Sequence, residues 1–259
     1  INISVRTFSD YANSDAVTTS WGVIRDLVNM GFIFVLLYIA FGTILGLQGI
    51  DWKRLVPKLI IVALLVNFSA FFTRVIIDVS NVTANQFYLA SASPNPTPPG
   101  QTPDVTTALF KNIKVFSNNP AFGLGLTDDK ANKTPEQLQA EATLDWKQIV
   151  VGTFGGVALA LVASFVLLAG AVLFIIRTLR LLFLIILSPF AFFFMILPKT
   201  ESYAGKWWKA LANEAIFAPA FLIMIYVVTQ ITQAINSKDD GSVIFFMFII
   251  GLLLGALIV

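Results

Sequence analysis

Five charged side chains stand inside or at the edge of long apolar runs. Arg74 and Asp78 lie four apart, Arg177 and Arg180 three apart, and Glu214 opens a further apolar run. Residues at these spacings share a helix face, so Arg74 can pair with Asp78, and the two later arginines point the same way. The chemistry on offer is charge pairing at membrane depth, or the lining of a path. A charge at mid-bilayer costs about 2.5–3.5 kcal/mol on insertion scales. Arg177 and Arg180 therefore either meet a carboxylate inside the bundle, Glu214 or Asp78, or snorkel to a span boundary. Glu214 is either that partner or a solvated carboxylate favoured at a helix start.

Most other chemistry is excluded by inventory. His and Cys are both absent. That removes the usual ligand sets of zinc, haem and iron–sulfur sites, thiol nucleophiles and imidazole acid–base catalysis. No metal, no cofactor and no catalytic residue is expected; the chain does not read as an enzyme. Net charge is +2 from 17 basic and 15 acidic residues, unlike the strongly basic balance of a nucleic-acid-binding domain.

The elements that hold these charges must be membrane helices. Of the 259 residues 57% are hydrophobic and 12% charged, against about 25% charged in soluble domains. Uncharged runs near the roughly 20 residues of a crossing helix mark out an all-α, polytopic transmembrane bundle of about six spans. Residues 1–26 read as an interfacial N-terminal segment, and 27–79 as a first two-helix unit around the basic turn 51–58. Residues 80–148, with the Pro-rich stretch 91–104, read as a small loop subdomain, and 149–259 as a C-terminal bundle. Within that bundle the apolar runs are 149–176, 181–197, 215–237 and 243 onward. The run 181–197 holds Ser188-Pro189 and ends at Pro198; it is either a crossing or a re-entrant segment. Starting at Ile1 and stopping inside an apolar run, the sequence reads as cut at both ends.

Small residues supply packing motifs. Gly42/Gly46 and Gly251/Gly255 are GxxxG pairs, and Gly152, Gly156, Ala160 and Ser164 recur every fourth residue. Such patterns let helices approach closely, within one chain or between subunits. Trp21, Trp52, Trp146, Trp207 and Trp208 all fall at expected span ends, as interface anchors do. The basic turn with Lys53, Arg54 and Lys58 belongs in the cytoplasm by the positive-inside rule, which puts 80–148 on the extracytoplasmic side. Beyond it the rule conflicts with span length. Two full crossings over 149–197 place the Lys199–Lys209 segment outside, and a re-entrant 177–198 returns it to the cytoplasm.

The stretch 177–225 resembles the TrbL/VirB-six family of bacterial type IV secretion and conjugation machines. An Arg-bearing apolar run leads into Leu187-Ser188-Pro189-Phe190-Ala191, then Ile196-Leu197-Pro198-Lys199, then Trp207-Trp208, and Phe217-Ala218-Pro219 opens the next span. The layout over 27–259 is similar too, although the outer segment here is compact. The resemblance implies a multi-pass protein of the bacterial inner membrane, without cofactor and in several copies. It also implies a part in the translocation path for protein or DNA–protein substrates, beside cytoplasmic ATPases and other envelope subunits. Two alternatives stand next to it. One is a stand-alone solute transporter or ion channel, for which polar residues such as Asn67, Ser69, Thr229 and Gln230 are few. The other is a purely structural membrane scaffold.

Overall fold

The computed structural model describes residues 8–47, 51–92, 146–236, 250, 251 and 255. Seven helices carry names here: α1 (Phe8–Ala12), α2 (Asp15–Ile44), α3 (Trp52–Asn67), α4 (Ser69–Ala92), α5 (Trp146–Ile186), α6 (Ser188–Phe193) and α7 (Glu201–Asn236). The fold is all-α, with no strand among the described residues. Three helices are long and apolar enough to cross a membrane: α2, the Leu161–Ile186 part of α5, and the Glu201–Ile231 part of α7. A fourth candidate is α3 with α4 as far as Ser91, a pair bent by 62°.

The expected count of about six spans is not confirmed: among the described residues three helices qualify, or four with the bent pair. Two differences account for much of the gap. The runs 149–176 and 181–197 are not two crossings, because α5 continues through both arginines to Ile186. Arginine is a good helix former, so nothing local ends the helix at 177–180. The break comes at Ser188-Pro189, and the six-residue α6 that follows is far shorter than a crossing. The run from 243 onward lies largely outside the described residues, as do 93–145 and with them most of the expected loop subdomain; 80–92 belong to α4. At the other end, residues 15–26 are the first turns of α2 and not a separate surface helix.

The end of α2 has a clear cause. Gly46 adopts φ +64, a left-handed conformation that costs glycine little. The amide of Leu47 donates to the carbonyl of Gly42 at 2.9 Å, and that of Gly46 to Thr43 at 3.3 Å. This is a Schellman cap, which satisfies carbonyls that a helix end leaves bare. The two glycines are therefore divided in role: Gly42 is buried in the last turn, and Gly46 stops the helix and is exposed. At the start of α3, Asp51 caps through Oδ1, which accepts from the Lys53 amide at 3.0 Å.

The chain divides into two compact units. The first, Ile1–Thr83 with Leu173–Ala218, holds two apolar clusters. In one, Val28, Phe32, Val35 and Ile39 of α2 pack with Leu55, Leu59, Val62 and Val66 of α3 and with Phe192 and Ile196. Alternating steps of four and three keep each set on one helix face. In the other, Phe8, Ala12 and Val17 meet Ala70 and Ile77 of α4, Leu181 and Ile185 of α5, and Leu211 of α7. Opposite faces are apolar and open: Phe34, Phe41, Ile44, Phe165 and Leu168 are all exposed, as lipid-facing positions require. In the second unit, Ala84–Val172 with Pro219–Val259, Gly170 makes room for the buried ring of Phe221, whose Cζ would lie 2.7 Å from a Cβ at that position.

Candidate functional site: a buried arginine tying three helices

The buried side chains of α5 in the first unit are Phe174, Arg177, Leu181 and Ile185. Arginine holds a core position in this stripe and is 1% exposed. Its guanidinium reaches two other helices. Nε donates to the backbone carbonyl of Glu214 on α7 at 2.8 Å. Nη2 donates to Asn81 Oδ1 on α4 at 3.0 Å and lies 3.4 Å from Ser80 Oγ. Nη1 has no partner among the described residues. One turn on, Arg180 donates from Nη1 to the Glu214 carboxylate at 2.8 Å. Both arginines thus converge on residue 214, one on its backbone and the other on its side chain.

One further acceptor on α7 follows from Pro219. Proline has no amide hydrogen, so the carbonyl four residues earlier loses its helical donor. That carbonyl belongs to Ala215, and the Ser80 hydroxyl donates to it. A chain in lipid must satisfy such a group internally. Pro189 raises the same need at Ile185, and there the answer is local, with Ser188 Oγ donating to the Ile185 carbonyl at 2.7 Å. Two proline breaks are therefore each closed by one serine hydroxyl. Elsewhere in the helices hydroxyls bond back to their own turn, as Thr73 does to Ser69, Thr178 to Phe174 and Thr229 to Tyr226.

Glu214 joins Arg177 and Arg180 in one place, and Pro219 shapes it. Arg74 and Asp78 stand apart from this group. Arg74 is half-buried with Nε and Nη2 unpartnered, Asp78 is exposed, and the two make no ion pair among the described residues. Pro189 is buried beside Ser188, while Pro198 and Lys199 lie exposed in the turn before α7. Trp207 and Trp208 meet edge to face at 4.9 Å and pack against the first unit's apolar clusters. Trp207 Nε1 is buried without a partner among the described residues. Trp21 donates to Ser69 Oγ at 3.0 Å, with Arg25 stacked 4.9 Å from its ring. Trp52 is exposed in the first turn of α3, and Trp146 is the first residue of α5. Of the small-residue stripe, Ser164 is exposed; Gly152, Gly156 and Ala160 have surroundings outside the described residues. The buried face of α5 near Ser164 carries Ala163, Val166 and Gly170. Gly251 has open space at its Cβ position, and Gly255 faces Met224 Cε at 3.9 Å.

Ser80 and Asn81 are not among the residues singled out from the sequence, because they are polar and fall just past the expected end of the first two-helix unit at residue 79. A signal was present: Ala70, Thr73, Ile77, Ser80, Ala84, Tyr88 and Ser91 are all buried, and their spacing of three and four continues one helical face past residue 79. No group of three or more acidic, His or Cys residues that could hold a metal occurs among the described residues. Fold and site together define an all-α protein with helices suited to crossing a membrane. No family model, no curated protein and no solved structure matches the chain.

Proposed function

We propose that this chain is a non-enzymatic, multi-pass subunit of a type IV secretion- or conjugation-like machine in a bacterial inner membrane. In this reading it helps form the path for a protein or DNA–protein substrate, among other envelope subunits and cytoplasmic ATPases. Its described crossings are α2, the bent α3/α4 pair, α5 and α7. Residues 187–200 form a short turn at the membrane face.

The observation that supports this best is how the charge at 177–214 is spent. Arg177, Arg180 and Glu214 bond to one another and to backbone and amide groups of neighbouring helices. They tie neighbouring helices to one another, which favours a structural or path-forming part over a transporter with its own solute site. The resemblance at Ser188-Pro189, Trp207-Trp208 and Pro219 supplies the choice of machine.

The test is affinity purification of the tagged chain from bacterial membranes in mild detergent, followed by mass spectrometry. Secretion ATPases and envelope subunits should co-purify. A stable lone chain, free of them, would sink the proposal. Crosslinking a transferred substrate to α5 or α7 would separate a path-forming part from a scaffold.

A further inference from the structure

Asp78 is exposed on α4. Exposed Phe71, Val75, Val79 and Val82 surround it on the same helix, so this carboxylate sits in a surface otherwise suited to lipid. The ion pairs among the described residues are Arg25–Asp26 and Arg180–Glu214, and Asp78 takes part in neither; Arg74, one turn earlier on α4, acts on it electrostatically without forming an ion pair. An ionised carboxylate at membrane depth is rarely left without a partner.

A complementary group stands on α5. The Arg180 side chain is 65% exposed, among exposed Ile176, Leu179 and Phe183. Its bond to Glu214 uses Nη1, and a guanidinium has five N–H donors in all. The two charges also match in level. Ile77, next to Asp78, and Leu181, next to Arg180, are buried in the same apolar cluster with Leu211. Asp78 and Arg180 therefore lie within about one helical turn of each other along the bundle, yet on different helices and not paired with each other among the described residues.

Opposite charges at one depth, each set in an apolar outer face, are what two copies side by side in a bilayer can join. We propose that Asp78 of one copy pairs with Arg180 of the next, so that the face of α4 docks on the face of α5 of a second copy. The contact unites two different surfaces, so it repeats from copy to copy and closes into a ring if the rotation allows. The inference rests on α4 and α5 lying in the membrane.

The absence of cysteine makes the test direct. Asp78→Cys carrying one tag and Arg180→Cys carrying another are co-expressed, and membranes are oxidised. Because Arg180→Cys also breaks the bond to Glu214, the neighbouring exposed Leu179→Cys is run beside it. A disulfide-linked dimer bearing both tags should form several-fold above an Asp78→Cys partnered with Val23→Cys, an exposed position on α2. In parallel, Asp78→Asn in detergent should fall from an assembly to a single chain of 28.4 kDa. No excess of mixed dimer with either α5 position, or an unchanged assembly mass for Asp78→Asn, overturns the proposal. Release of the wild-type chain from membranes by alkaline carbonate would overturn the membrane reading itself, and the two failures are thereby told apart.

Discussion

Arg177 on α5 donates from Nε to the backbone carbonyl of Glu214 on α7, across 2.8 Å. That carbonyl immediately precedes the one, Ala215's, that Pro219 deprives of its helical donor. With Asn81 on α4 as the second acceptor, one side chain sets the spacing of three helices.

Removing that side chain should be costly. Bonds from charged donors contribute about 1.5–3 kcal/mol each, so Arg177→Ala should lower stability by on the order of 3 kcal/mol, a drop in Tm of roughly 6–10 °C. Arg177→Lys keeps the charge but lacks the planar fork, and should recover less than half of the loss. Thermal unfolding in detergent, followed by tryptophan fluorescence, gives the answer; an unchanged Tm for Arg177→Ala would refute the role.

Ser80 and Pro219 should be energetically coupled although one lies on α4 and the other on α7. Ser80→Ala leaves the Ala215 carbonyl bare, at a cost of about 1–2 kcal/mol. In a Pro219→Ala background the helix regains its own amide donor at that carbonyl, and the same Ser80→Ala change should cost about 1 kcal/mol less. A double-mutant cycle by chemical denaturation measures this coupling, and additivity of the two changes would exclude it.

Two glycines should answer oppositely to the same substitution. At Gly170 a Cβ would stand 2.7 Å from Phe221 Cζ, so Gly170→Ala should destabilise by about 1–3 kcal/mol through overpacking. At Gly205, inside α7, nothing lies within 4 Å, and Gly205→Ala should stabilise by about 0.5–1 kcal/mol through helix propensity. Equal Tm shifts in one direction would contradict the packing described here.

Gly46 should not tolerate a side chain. At φ +64 an L-residue pays about 1–2 kcal/mol. Gly46→Ala should therefore lower the Tm, whereas Gly22→Ala, in open space within α2, should not. Reversal of that order would argue against the cap.

Much of the architecture was legible because hydropathy and periodicity are local. The helical class and the apolar α2, α5 and α7 follow from runs of residue types, which leave Arg177 and Arg180 open between a carboxylate partner, Glu214 or Asp78, and a span boundary. The boundaries were less legible where charge was taken as punctuation. Arg177 and Arg180 divide the apolar runs 149–176 and 181–197 in the sequence, yet a charge with partners on neighbouring helices interrupts nothing, and those partners are far away in sequence. Ser80 and Asn81 were hidden for the same reason, since polar residues beyond an apolar run look like loop until something buried needs them. The Arg74–Asp78 spacing brings the two charges into electrostatic contact on one helix but not into an ion pair, because Arg74 is half-buried while Asp78 faces out.

The separations in sequence around Arg177 impose an order of events. Asn81 lies 96 residues before it and Glu214 37 residues after it. As the chain emerges from the ribosome, α5 can meet α4 at once, but its second acceptor does not exist until α7 has been made. Between those moments the guanidinium is half-satisfied in an environment hostile to charge. Completion of α7 is thus the step that commits α5 to its place, and an insertion intermediate stopped before residue 214 should remain open to chaperones, extraction and proteolysis.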